Sequence, residues 1–189
     1  MILKGNLAEA RIAFLENIRV AKSHGNREYE SYSLSALGFV DYEVGEYESA
    51  LDYFRKALAL GQEIDARWTI AEALSGMGYV FACFGDYAKS KEYLKEGLRT
   101  FYMGRTLTGL IPIIVGFAKL QYLMGQTDEA LELLGLSMNH ASTTTDAKHY
   151  ANLVLDDIKS KLPQGDVALG LERGKHLDLD DTVVRLLQI

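Results

Sequence analysis

The stretch LGFVDYEVGEYESALDYF, residues 37–54, returns forty residues later as MGYVFACFGDYAKSKEYL, residues 77–94, and again as FAKLQYLMGQTDEALELL, residues 117–134. Further out, glycine stands at 5, 45, 85, 125 and 165. A small residue follows five positions after the first four of these glycines, at Ala10, Ala50, Ser90 and Ala130. Four positions on comes a large apolar residue, at Phe14, Phe54, Leu94 and Leu134, and seven before the glycine stand Gly38, Gly78 and Ala118. A fixed period of this length marks a repeat architecture.

Physical chemistry gives the unit its form. Each repeat glycine permits the left-handed backbone that ends a helix, and Asp86 just after one can cap the next helix, Glu46 less well. Gly38, Gly78 and Ala118 let one helix approach the small residues of its partner, and Phe54, Leu94 and Leu134 fill the space between neighbouring pairs. A lone pair of such helices cannot bury both faces, but a stack can. Composition agrees. Leu and Ala account for 47 of the 189 residues and Pro for only two, so strong helix formers run almost without breakers. With 48% hydrophobic and 24% charged residues the chain matches a folded protein. The expected fold is all-α, a right-handed superhelical solenoid of antiparallel helix pairs.

The residues Leu37-Gly38, Gly45-Glu46-Tyr47, Ala50, Phe54 and Ala57-Leu58 resemble a tetratricopeptide repeat, as do Met77-Gly78, Gly85-Asp86-Tyr87 and Leu94. Phe117-Ala118, Gly125 and Ala130 form a weaker third copy, with Thr127 in place of the usual Tyr. The usual Trp early in the first helix and the Pro closing the second are missing. The period of forty exceeds the common 34, so each helix is expected to be longer by about a turn. The chain divides into a half repeat at 1–25, three repeats at about 26–62, 63–102 and 103–142, and a divergent repeat with capping helices at 143–189.

The ends suggest a larger parent. Met1 lies in register with Asp41, so the first repeat lacks its first helix, and an excised segment is expected. At the other end, Thr143 and Asp146 read as a cap and its partner, opening a helix to about Leu162 that Pro163 closes. Gly170 and Gly174 interrupt the helix after it, and a short amphipathic helix follows Asp178. The segment from Gly174 is similar to the closing segment of large bacterial signal-transduction ATPases and transcription regulators of the maltose-activator type. That resemblance implies a sensor arm of a regulatory protein; a free-standing scaffold for protein assembly is the alternative.

Motifs for chemistry are scarce. The sequence contains no Gly-x-x-x-x-Gly-Lys-Ser/Thr, His-Glu-x-x-His or Gly-x-Ser-x-Gly, so no cofactor, no metal and no enzymatic activity are expected. His24, His140, His149 and His176 stand far apart and read as exposed or capping residues. Cys83 has no basic cluster near it in sequence. A formal net charge of −6 disfavours nucleic acid, no run approaches the ~20 apolar residues of a membrane span, and a cytoplasmic location is expected. What remains is surface. In tetratricopeptide arrays the first helix of each pair lines the concave side. The resemblance therefore implies a partner-binding groove of Tyr32, Ser35, Phe39, Tyr42, Glu43, Glu72, Ser75, Tyr79, Cys83, Lys119 and Tyr122, open to a protein segment or a small effector. Leu7, Ala10, Ile12, Phe14, Leu15 and Ile18 on the unpartnered first helix predict a homodimer formed end to end.

Overall fold

The computed structural model describes residues 7–105 and 107–188; Met1 and Gly5 of the half repeat lie outside them. Ten helices and no strand occur among the described residues: α1 (Leu7–Ser23), α2 (Arg27–Val44), α3 (Tyr47–Glu63), α4 (Arg67–Cys83), α5 (Tyr87–Met103), α6 (Leu107–Leu123), α7 (Thr127–Asn139), α8 (Thr145–Lys159), α9 (Gln164–Lys175) and α10 (Leu179–Gln188). This is the all-α stack of helix pairs expected from the repeat. Consecutive helices pack from α1 to α8, and the first helices of the pairs, α2, α4, α6 and α8, also touch in turn.

The turns are more regular than the glycines. Left-handed residues fall every twenty positions, at Gly25, Gly45, Asp65, Gly85, Arg105 and Gly125, with φ between 53° and 87°. Asp65 and Arg105 adopt this backbone despite carrying a Cβ, which costs about 1–2 kcal/mol. Gly165 keeps the numerical period but not its role, because it lies in the first turn of α9 without a left-handed φ. Asp86 caps α5 by accepting from the Lys89 N–H at 3.2 Å, whereas Glu46 stands at the N-cap of α3 without a side-chain bond.

Packing turns on large residues wedged between glycines. Phe54 is fully buried between Gly38 of its own pair and Gly76 of the next; a methyl group on Gly38 would lie 2.6 Å from the ring. Leu94 repeats this between Gly78 and Gly116, each of which would meet it at 2.7 Å. Ser90 reinforces the approach by donating to the Gly78 carbonyl at 2.8 Å. Asp41, buried on α2, ties three helices together by accepting from Arg11 of α1 at 3.0 Å and from Ser49 of α3.

The C-terminal part departs from the sequence expectation in three places. Thr144 rather than Thr143 caps α8, accepting from the Ala147 N–H at 3.2 Å. The Thr143 hydroxyl is instead drawn to the carbonyls of Ser137 and His140. Helix α8 ends at Lys159, and Pro163 serves as the N-cap residue of α9. Gly170 and Gly174 do not interrupt a helix; both lie inside α9, which packs on α7 rather than on α8. Gly135 and Gly174 meet where these helices cross, and a methyl group on Gly135 would lie 2.9 Å from the Cα of Gly174. Helix α10 then runs back to α5, burying Val183 and Leu186.

Two substitutions test this account. Gly78→Leu is expected to cost about 1–3 kcal/mol by forcing Leu94 and the α5 backbone away, seen as a lower melting temperature. Arg105→Gly is expected to raise stability by up to about 1 kcal/mol, because relief of the left-handed Cβ outweighs the added chain entropy.

Candidate functional site

The concave face is not an open groove. Helix α8, stacked on α6, reaches across to α2, and Tyr150 stands at the centre of the contact. Its ring centroid lies 6.0 Å from that of Phe39, 6.3 Å from Tyr42 and 5.8 Å from Tyr79. The Tyr150 hydroxyl donates to Glu43 at 2.9 Å, and His149 Nε2 lies 3.6 Å from the other oxygen of that carboxylate. His149 was expected to be exposed or capping; its Nε2 is instead buried without a hydrogen bond.

This closure leaves two chambers. One, of about 240 Å³, is lined by Tyr32, Phe39, Glu43, Glu72, Ser75 and Tyr79 from α2 and α4, with Trp68, Phe101, Pro112, Asp146, His149 and Tyr150 completing its wall. Phe14 of α1 also reaches it. The second, of about 200 Å³, is lined by Tyr42, Tyr79, Lys119, Tyr122, Tyr150 and Asp157 among others.

The residues expected in the groove therefore gather in space, but many are covered. Ser35, Tyr42, Ser75 and Tyr79 are buried, whereas Phe39, Glu72, Cys83, Lys119 and Tyr122 are half-buried. Tyr32 is exposed at the rim beside Trp68. Ser35 and Cys83 line neither chamber. Lys119 donates to the Tyr42 hydroxyl and, at 3.3 Å, to Cys83 Sγ, so the fold supplies the basic neighbour that the sequence around Cys83 lacks. Tyr79 is core: its hydroxyl donates to the Pro112 carbonyl at 2.6 Å and its ring is 3% exposed.

Sequence reasoning did not reach Trp68, Asp146, His149 and Tyr150. The one available signal was the longer period, since longer helices give each pair more surface on which to tighten the curve. On α1, Ile12 is 68% exposed and Leu15 41%, while Phe14 turns inward.

Electrostatically the first chamber is acidic. Burial pushes the Glu72 carboxyl up to about 7, with the nearby Trp68 and Ser35 opposing the shift and the Asp146 charge adding to it. Part of the Glu72 side chain still reaches the surface, but protein surrounds its carboxyl closely. Burial likewise raises the Tyr42, Tyr79 and Tyr150 hydroxyls, which stay protonated.

Residues 2–63, covering the described part of α1 and all of α2 and α3, match the family model described as tetratricopeptide repeat. This segment is similar to the tetratricopeptide repeat. Such repeats generally mediate protein–protein interactions. No curated protein matches the chain. No helix among the described residues is long and apolar enough to cross a membrane.

Two outcomes follow from the burial. Tyr79→Ala is expected to cost about 3–5 kcal/mol of stability in chemical denaturation, as for other large aromatics removed from a core. Glu72 binds its proton more tightly folded than unfolded, so its contribution to stability falls as pH rises from the ordinary carboxylate range through about 7. Glu72→Gln should therefore stabilise the protein by about 1–3 kcal/mol above that range. The gain should shrink towards zero in mild acid, which denaturation across a pH series will show.

Proposed function

We propose that this chain is a non-catalytic recognition module, the sensor arm of a larger bacterial regulatory protein acting in signal transduction or transcription, and that it takes a small effector in the chamber beneath α8. The observation that carries this reading is the meeting of α8 with α2 through Tyr150, His149 and Glu43, which leaves a pocket of about 240 Å³, open at one side, between helices from both halves of the array. A ligand touching both sides binds the closed arrangement better than an open one and shifts the population towards it. That shift would change the shape offered to an attached module. A cytoplasmic location goes with this role.

Hydrogen exchange along α8 tests it. The dialysable fraction of a cell extract is expected to slow exchange of the amides in 145–159, and the macromolecular fraction to leave them unchanged. Protection by the macromolecular fraction alone would favour a protein scaffold instead, and protection by neither would remove the effector reading.

Self-association belongs to the same proposal. Ile12, Leu15 and Val20 leave an apolar strip on α1, and burying a few hundred Å² at ~25 cal/mol per Å² yields several kcal/mol before association costs. A variant with Ile12→Lys and Leu15→Glu is expected to sediment as a monomer at concentrations where the parent chain dimerises. Equal sedimentation of the two would place any contact elsewhere.

A further inference from the structure

We infer that the ligand of the larger chamber is a small organic cation, an ammonium carried on a compact apolar body. The inference rests on the effector reading above and specifies its chemistry. The chamber is lined by the aromatic residues Phe39, Tyr79 and Tyr150, together with Tyr32 and Trp68, which are exposed. Into the same space α2, α4 and α8 each bring one carboxylate, Glu43, Glu72 and Asp146. Among the described residues, no lysine or arginine lines it. Glu43 is engaged by Tyr150 and His149, but neither Glu72 nor Asp146 forms an ion pair among the described residues. On α6, Pro112 has no N–H to return to the carbonyl of Thr108, another residue of the wall.

The neighbouring chamber shows how this protein completes such a site from within. There the walls are again tyrosines and a carboxylate, and the cation is Lys119, which donates to the Tyr42 hydroxyl at the edge of its ring. The larger chamber has the rings and more carboxylates but, among the described residues, no lysine or arginine of its own. An incoming ammonium would meet the aromatic lining and the Glu72 carboxylate, which Trp68 and Ser35 support but which, among the described residues, no cation pairs, and cation–π attraction strengthens once ring and ammonium are withdrawn from water. An anionic ligand would face three carboxylates without a lysine or arginine to offset them.

Trp68 is the chain's one tryptophan and stands on the chamber wall, so its fluorescence reports occupancy directly. Choline and phenethylammonium serve as probes, beside the uncharged isostere of choline in which tert-butyl replaces trimethylammonium. The cations are expected to shift Trp68 emission saturably, and the isostere to bind at least about ten-fold more weakly, equivalent to about 1.4 kcal/mol. Glu72→Gln, and separately Asp146→Asn at the exposed rim, should each weaken choline while circular dichroism stays unchanged.

Affinity should rise with pH through about 7 as Glu72 gives up its proton. The other titratable groups facing it are Tyr32 and Glu43 of α2, Tyr79 of α4, and Asp146, His149 and Tyr150 of α8; α1, α5 and α6 bring none to the chamber. Equal binding of the isostere, or no saturable response to either cation, would overturn the inference. If α8 were still protected by the dialysable fraction, that failure would touch the ligand class alone. Loss of that protection would take the effector reading with it.

Discussion

Two helices can come within about 8 Å of each other only where one of them gives up its side chains. In this protein that concession is made by pairs of glycines around a single large residue. Phe54 sits between Gly38 and Gly76, and Leu94 between Gly78 and Gly116. Each wedge touches the first helix of its own pair and the first helix of the next, so one contact sets both the spacing within a pair and the step between pairs. Repetition of that step bends the row of first helices until α8 comes opposite α2. The chamber, the buried carboxylates and the covered tyrosines all follow from this curvature.

The forty-residue period, the wedge residues and the Asp86 cap were legible because each is a local demand that one residue type satisfies. The intervening turns were not. Asp65 and Arg105 take the left-handed backbone without the glycine that would announce it, because the tertiary packing of the helices on either side holds them there. Gly170 and Gly174 misled for the converse reason. Glycine weakens a helix in isolation, but here the same missing Cβ lets α9 lie against α7 at Gly135, and the close contact offsets the lost propensity. A sequence pattern cannot distinguish a glycine that ends a helix from one that admits another helix.

Of the residues the helical register groups together, some line one chamber, Tyr42, Lys119 and Tyr122 line the other, and Ser35 and Cys83 line neither. Tyr32, Phe39, Glu72, Ser75 and Tyr79 do share one wall, as the helical register implies. Whether that wall is open depends on Tyr150, which meets Glu43 across 107 residues of chain, and nothing local in either segment specifies the other. Closure also sets a tension between folding and recognition. Desolvation of Glu72 works against stability as pH rises from the ordinary carboxylate range through about 7, and such a group is readily kept where a bound partner relieves it.

Repeat arrays ordinarily fold as one-dimensional chains, each unit stabilised by its neighbours, so that an end can fray while the middle holds. Tyr150 removes that independence. Its ring packs against both hydrophobic cores of the molecule, the one built on α2 to α4 and the one running from α4 to α10. A break anywhere between α2 and α8 therefore loosens the tie between the cores as well as its own interface, and the linear array becomes a loop pinned at one point. Melting then approaches a single all-or-none transition rather than an unzipping from the ends, and strain introduced at one terminus is felt at the far side of the molecule without passing through every repeat between.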